Sequence, residues 1–348
     1  MCLEPGSAPD RAASAPRPAD GPAVDPIALE PVDEVTVTTL IDNSFDALLA
    51  SRNGVERPTR GLGSVEAPLF ESGRTEPGLR AEHGFSALVR VRRGATTSTL
   101  LFDTGVSPDG MTTNAGRLGL DLGDVQGVVL SHGHFDHTGG LAGLRRRGLP
   151  LTVHPNVWSR RRLAPPGVDP IDLPTLSAGA LRREGFDVIE RRHPSLLVDG
   201  SVLITGEIDR TTEYERGMPP AHQARTASGW APDPTVIDDQ ALVVHVRGAG
   251  LVIVTGCGHA GVVNIARHAM RLTGVDRLHA LIGGFHLSGP YFEPIIAPTV
   301  DALSALAPAL LVAGHCSGWR AQQALATALP DAWVPSSSGT TYRLTAAA

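Results

Sequence analysis

His132, His134, Asp136 and His137 fall within six residues, in the run Ser131-His132-Gly133-His134-Phe135-Asp136-His137. Imidazole and carboxylate groups are the ligands of divalent transition metals such as zinc, iron and manganese. In extended chain, side chains two apart point the same way, so His132 and His134 can grip one ion together. Asp136 and His137 follow the apolar run Val128-Val129-Leu130, past the end of a strand, where a turn aims them at a second ion beside the first. Histidines do gather by chance in surface loops. Four ligand-type side chains at this spacing, at a strand's carboxyl end, point instead to a metal site.

The same arrangement recurs along the chain: an apolar run, then a small-residue turn with a His, Cys, Asp or Glu. Cys257-Gly258-His259 follows Thr255, Gly283-Gly284-Phe285-His286 follows Ile282, and Gly314-His315-Cys316 follows Ala313. Rigid scaffold meets adaptable loop at strand ends, so sites gather there. Strands are predicted over 35–41, 85–91, 98–102, 150–153, 202–205, 240–247, 250–255, 280–282, 309–312 and 341–344. Helices are predicted over 110–118, from 138 to 146, and over 262–272, 299–306 and 320–329, while 155–235 reads as less regular. Early hairpins followed by strand–helix alternation predict two sheets covered by helices.

The 348 residues are 42% hydrophobic, enough for a sizeable core, but only 4% aromatic, so aliphatic side chains must fill it. The net charge of -6 leaves no basic footprint for nucleic acid. Every basic residue is arginine. Three cysteines, Cys2, Cys257 and Cys316, make no disulfide framework, which points to a reduced, cytoplasmic setting. No apolar stretch approaches the ~20 residues of a membrane span, and the N-terminus lacks the pattern of a secretory signal. Residues 1–33, rich in Pro, Ala and Asp, are expected to be a disordered tail, and residues 34–348 to form one domain.

Ser131 to Gly140 resembles the His-x-His-x-Asp-His signature of the metallo-β-lactamase superfamily. Further segments resemble its dihydropterin–ribofuranosylaminobenzene-phosphate synthase-like branch: Leu40-Ile41-Asp42-Asn43, Phe102-Asp103-Thr104-Gly105, Thr205-Gly206-Glu207-Ile208, Thr255-Gly256-Cys257-Gly258-His259-Ala260-Gly261, Gly283-Gly284-Phe285-His286-Leu287 and Gly314-His315-Cys316-Ser317-Gly318. The resemblance implies a four-layer αββα sandwich with one or two metals at one edge of the paired sheets. It implies that His132, His134 and His259 bind the first ion, and that Asp136, His137 and His315 bind the second. Cys257 stands where many relatives have a bridging Asp. As a thiolate it would keep the site dinuclear; as a buried thiol it would leave the second ion weakly held or missing. The ions implied are two zincs, with manganese or iron as alternatives.

Such a centre predicts a hydrolase in which metal-activated water attacks a small anionic ester or phosphoester. Asp136 orients that water or takes its proton. His286 is expected to be a ligand or the general acid for the leaving group. Asp103 either fixes a ligand histidine's tautomer or caps a turn, and Asn43 either contacts substrate or forms a turn. Glu207 and Arg210 are substrate-binding candidates, with a solvated surface pair as the alternative. The N–H groups of the helix beginning near Ala260 suit an anionic substrate group. His154 reads as structural, His193 and His222 as exposed loop residues, His245 as a core histidine, and Asp238-Asp239 as loop caps. The other functions considered are a pterin–phosphoribosyl-aminobenzene synthase-like transferase, a non-catalytic ligand sensor and a mononuclear iron oxygenase. The expected partner is a small anionic molecule, with neither nucleic acid nor membrane.

Overall fold

Ser86–Arg93 and Thr96–Phe102 form an antiparallel hairpin turning at Gly94, whose φ of 58° suits a residue without a Cβ. Glu34–Ile41 pairs with Ser86–Arg93 on one side and Thr341–Thr345 on the other. Beyond Thr96–Phe102 the sheet continues through the parallel strands Gly127–Val129, Leu149–Val153 and Phe186–Glu190. Val55–Glu56 closes the opposite edge, giving eight strands. This computed structural model describes residues 25–58, 62–144 and 146–347.

A second sheet has six strands, in the order Ser195–Leu197, Val202–Ile204, Ala241–Val246, Gly250–Thr255, Leu278–Gly284 and Leu310–Gly314. Its last three strands are parallel. Gly250–Thr255 is buried at every residue, as its unbroken apolar run requires of a strand covered on both faces.

One core lies between the sheets, where Val35, Val37, Phe85, Val89 and Phe102 meet Ile204, Leu242, Val244, Val254 and Val312. The outer face of the six-stranded sheet packs on the helices Val262–Thr273, Ile296–Leu306 and Trp319–Ala328. The outer face of the other sheet packs on Gly110–Arg117 and Ala178–Glu184. The layers are therefore helix, sheet, sheet, helix, the αββα sandwich. The strands Gly127–Val129, Gly250–Thr255, Leu278–Gly284 and Leu310–Gly314 all run into the loops that carry ligand-type side chains.

Some expectations change. Of the tail, residues 25–33 are packed rather than disordered: Leu29 and Val32 are buried, and Val32 N donates to His245 O at 2.8 Å while its own carbonyl accepts from Arg247 N at 2.9 Å. The boundary at 33 thus moves back, and residues 1–24 lie outside the described residues. The helix expected from 138 to 146 is a short helix, Phe135–Thr138, followed by the 3₁₀ turn Gly139–Gly143. Gly139 and Gly140 press against the carbonyls of Val106 and Thr104 so closely that a Cβ at either position would collide. The region read as irregular contains a four-stranded sheet of Ile171–Asp172, Arg161–Leu163, His222–Thr226 and Gly229–Pro232. Among the described residues, no helix is long and apolar enough to cross a membrane.

Candidate metal centre

The loop after Gly127–Val129 and the turn after Gly250–Thr255 meet at the sheet edge. His259 Nε2 lies 3.2 Å from His132 Nε2 and 3.2 Å from His134 Nδ1. A single proton could bridge only one of those pairs, whereas a cation satisfies all three nitrogens. Burial first, and then neighbouring positive charge, holds His132, His134 and His259 well below the usual histidine pKa. They are therefore neutral imidazoles, the ligand form.

A second group adjoins the first. Cys257 Sγ is 3.1 Å from His137 Nε2 and 3.3 Å from His315 Nε2. Asp136 Oδ2 is 3.6 Å from His137 Nε2 and 3.4 Å from His315 Nε2. Burial disfavours charge on His137, but Asp136 and Asp103 outweigh it and carry its pKa to about 9. Burial likewise opposes ionisation of Asp136, and His137 and His315 outweigh that, holding its carboxyl well below the usual range. The group is thus arranged around positive charge. Burial pushes the Cys257 thiol up, so a metal ion is what would make it a thiolate. Cys257 belongs to both groups, with His132 and His259 on one side and Asp136, His137 and His315 on the other. The donor set fits two divalent ions sharing one sulfur.

Hydrogen bonds outside the groups aim these nitrogens. Asp103 Oδ2 accepts from His137 Nδ1 at 2.7 Å and from Ser131 Oγ at 2.6 Å. That oxygen of Ser131 lies 2.9 Å from His132 Nδ1, so it accepts the His132 proton and leaves Nε2 bare. Asp103 and His315 both have positive φ, 57° and 45°, the local strain found at functional turns. Asp42 sits beneath the His315 turn, accepting from His315 N at 3.1 Å and Ser336 Oγ at 2.8 Å.

Four candidates take other places than expected. Asn43 is held against the His315 turn: its Oδ1 accepts from His315 Nδ1 at 3.0 Å and its Nδ2 donates to His315 O at 3.2 Å. Arg210 is turned inward, donating to the carbonyls of His259, at 3.1 Å, and Thr235, so it props the His259 loop rather than gripping an anion. Glu207 pairs with Arg192 at 2.6 Å and reaches His154 Nε2 at 3.3 Å. The N–H groups at the start of Val262–Thr273 are already taken, because Glu215 accepts from Val263 N and Asn264 N, each at 2.8 Å.

His286 lies in neither ligand group. Its ring packs 4.3 Å from that of His259 and 4.5 Å from that of Phe292, and its ligand atom groups with Cys257 and Cys316. Beside it is a cavity of about 540 Å³ lined by Tyr214, His259, His286, Tyr291 and Phe292. A larger cavity of about 860 Å³ borders Phe135 and Thr138 and reaches none of the candidate ligands; the chemistry places the smaller one at the centre.

Sequence reading missed several contributors. His222, expected to be exposed, is buried against His134. Arg161 and Asp238 form a buried ion pair, and Asp238 accepts from Gly133 N at 2.8 Å. Asp239 accepts from Ala260 N at 2.8 Å, and burial raises its pKa to about 7. Both aspartates do cap loops, as expected, but the loops are those of the metal centre. Cys257 and Cys316 are free and buried; Cys2 lies outside the described residues.

The sequence model of the metallo-beta-lactamase superfamily matches residues 79–265, over half of the chain. The chain belongs to this superfamily. Its synthase-like branch is marked by a relative from Methanocaldococcus jannaschii named 7,8-dihydropterin-6-methyl-4-(beta-D-ribofuranosyl)-aminobenzene-5'-phosphate synthase. That protein is 29% identical over 255 residues, covering 70% of this chain and 83% of the relative. An uncharacterized protein of the same organism is 26% identical over 214 residues, 60% of this chain and 74% of its own length. A solved structure described as a metal-dependent hydrolase of the beta-lactamase superfamily superposes with a TM-score of 0.65 at 24% identity. It covers 89% of this chain and 99% of its own, and shows that the metallo-β-lactamase fold is shared.

Proposed function

We propose that this superfamily member is a metal-dependent hydrolase with two zinc ions, acting on a small anionic ester or phosphoester. The observation that carries the reading is Cys257, whose sulfur stands in both ligand groups and so joins two ion positions into one centre. Thiolate with imidazole favours zinc; the carboxylate of Asp136 keeps manganese and iron as alternatives. When bound, such ions supply a water acidic enough to ionise near pH 7 and positive charge for a developing oxyanion.

The chain's own groups do the rest. Asp136, with its carboxylate at the edge of the second group, accepts a proton from the attacking water. His286, at the cavity wall, donates one to the leaving group. The aromatic lining orients the substrate, and Arg216, which also lines the cavity, offers an anion a partner. The net charge of -6 is in keeping with a small-molecule substrate rather than nucleic acid.

A second reading is a pterin-directed transferase. It is favoured by the named relative and by Tyr214, Tyr291 and Phe292, which suit a flat ring. Elemental analysis and a panel of chromogenic phosphodiester, phosphomonoester, lactone and thioester substrates separate the two. Two zincs per chain and turnover of one substrate class, lost in Asp136→Ala, are expected. No turnover of any class, with retention of a pterin through purification, would replace the first reading by the second.

A further inference from the structure

His222 belongs to neither ion position, yet its ring nitrogen lies within hydrogen-bond distance of a ligand histidine. It opens the strand His222–Thr226 and is 1% exposed. Its Nε2 lies 3.0 Å from His134 Nε2, and its Nδ1 lies 3.1 Å from Asp233 O. A carbonyl oxygen only accepts, so His222 Nδ1 carries the proton and donates it. In the neutral ring that burial favours, His222 Nε2 is then a bare acceptor. His134 Nε2 must be the donor to it, which leaves His134 Nδ1 without a proton and facing His259.

The same loop is held from the other side. Arg161 Nε donates to Asp233 at 3.0 Å, and its Nη1 donates to Asp238 Oδ2 at 3.2 Å. That oxygen also accepts from Gly133 N, between the two ligand histidines. A closed circuit therefore runs from His134 through His222, Asp233, Arg161 and Asp238 back to Gly133.

We infer that His222 is a positioning residue that fixes the His134 tautomer, so that the first ion is bound through His134 Nδ1. The inference rests on the two-ion reading above. It predicts a selective defect, because His222 touches none of Asp136, His137, Cys257 and His315 in the contacts described. Ligand-orienting partners of this kind are worth about 10- to 100-fold in metal affinity.

The test is a zinc competition titration against a chromogenic chelator. In His222→Phe, one of two zinc affinities should fall by about 10- to 100-fold while the other holds. His222→Gln should recover much of the loss, since its carboxamide accepts from His134 and donates to Asp233. Two unchanged affinities in His222→Phe, or a Gln variant as weak as the Phe variant, would overturn the inference. Histidine-selective ¹⁵N NMR of the zinc-loaded wild type decides the matter even if the Phe variant fails to fold. Protons on His134 Nε2 and His222 Nδ1 are expected; a metal signature on His134 Nε2 refutes the assignment. A wild type that binds no zinc defeats the metal reading itself, and the role of His222 with it.

Discussion

Asp103 and His137 meet at 2.7 Å, carboxylate Oδ2 to ring Nδ1, with both side chains fully buried. The same oxygen takes the Ser131 hydroxyl, which in turn faces His132 Nδ1. One carboxylate thus sets the free nitrogen of a histidine in each ligand group. Asp103→Ala should weaken both zinc affinities, about 10- to 100-fold, unlike the one-sided defect of His222→Phe. It also leaves Ser131 N, now bonded to Asp103 Oδ1 at 2.7 Å, without its partner. Chelator competition reads the affinities; a loss at one ion alone would contradict the shared role.

Cys257→Asp tests the shared sulfur. Both ions should remain, because a carboxylate can bridge as a thiolate does. Preference should shift from zinc toward manganese, since oxygen is the harder donor. In cobalt-substituted protein, the thiolate-to-metal charge-transfer band should vanish. Persistence of that band in the variant would show that the sulfur in contact with the ion is another one, and Cys316 would be the first to examine.

The parts legible in sequence are those where local pattern and chemistry coincide. The run from His132 to His137 sits directly after a strand, so spacing alone grouped it. Cys257, His259 and His315 were equally visible, each in a turn after an apolar run. His222 and Arg161 were not, because they lie on short strands of the small sheet, among loop-like residues, and gain their meaning only from a fold that brings residue 222 to residue 134. Arg210 and Glu215 show the converse. An arginine at a strand end and a helix start both read as anion sites, and each is already used by the protein's own carbonyls or carboxylate. Sequence shows which groups are present; only packing shows which are still free.

Glu215 should therefore count in stability rather than in substrate affinity. Its carboxylate is buried against the first turn of Val262–Thr273 and satisfies two N–H groups there. Removing it leaves those donors unpaired, a cost of about 1 to 3 kcal/mol each. Glu215→Ala should lower the midpoint of thermal unfolding by roughly 3 to 8 °C, with zinc affinity little changed. Calorimetry of the zinc-loaded protein measures it; an unchanged midpoint would mean that the helix start is capped by something else.

His268 gives the fold a pH dependence whose sign can be worked out. It is buried in Val262–Thr273, where Arg271 Nη2 donates to its Nδ1 at 2.9 Å. Burial, which outweighs the nearby Asp209 carboxylate, lowers its pKa from 6.5 to about 4. The folded state therefore binds this proton less tightly than the unfolded state does. Its contribution is fully present above pH 6.5 and is lost as the pH falls toward 4, where the unfolded chain has already taken up the proton. The full difference amounts to about 3 kcal/mol by linkage. His268→Gln keeps an acceptor for Arg271 and removes the titration. Urea unfolding at pH 7 and at pH 4.5 should show wild type losing more stability than the variant across that interval. Comparing the two differences cancels the acid release of metal, which both proteins share. Equal losses would place the acid sensitivity elsewhere, in the ligand histidines themselves.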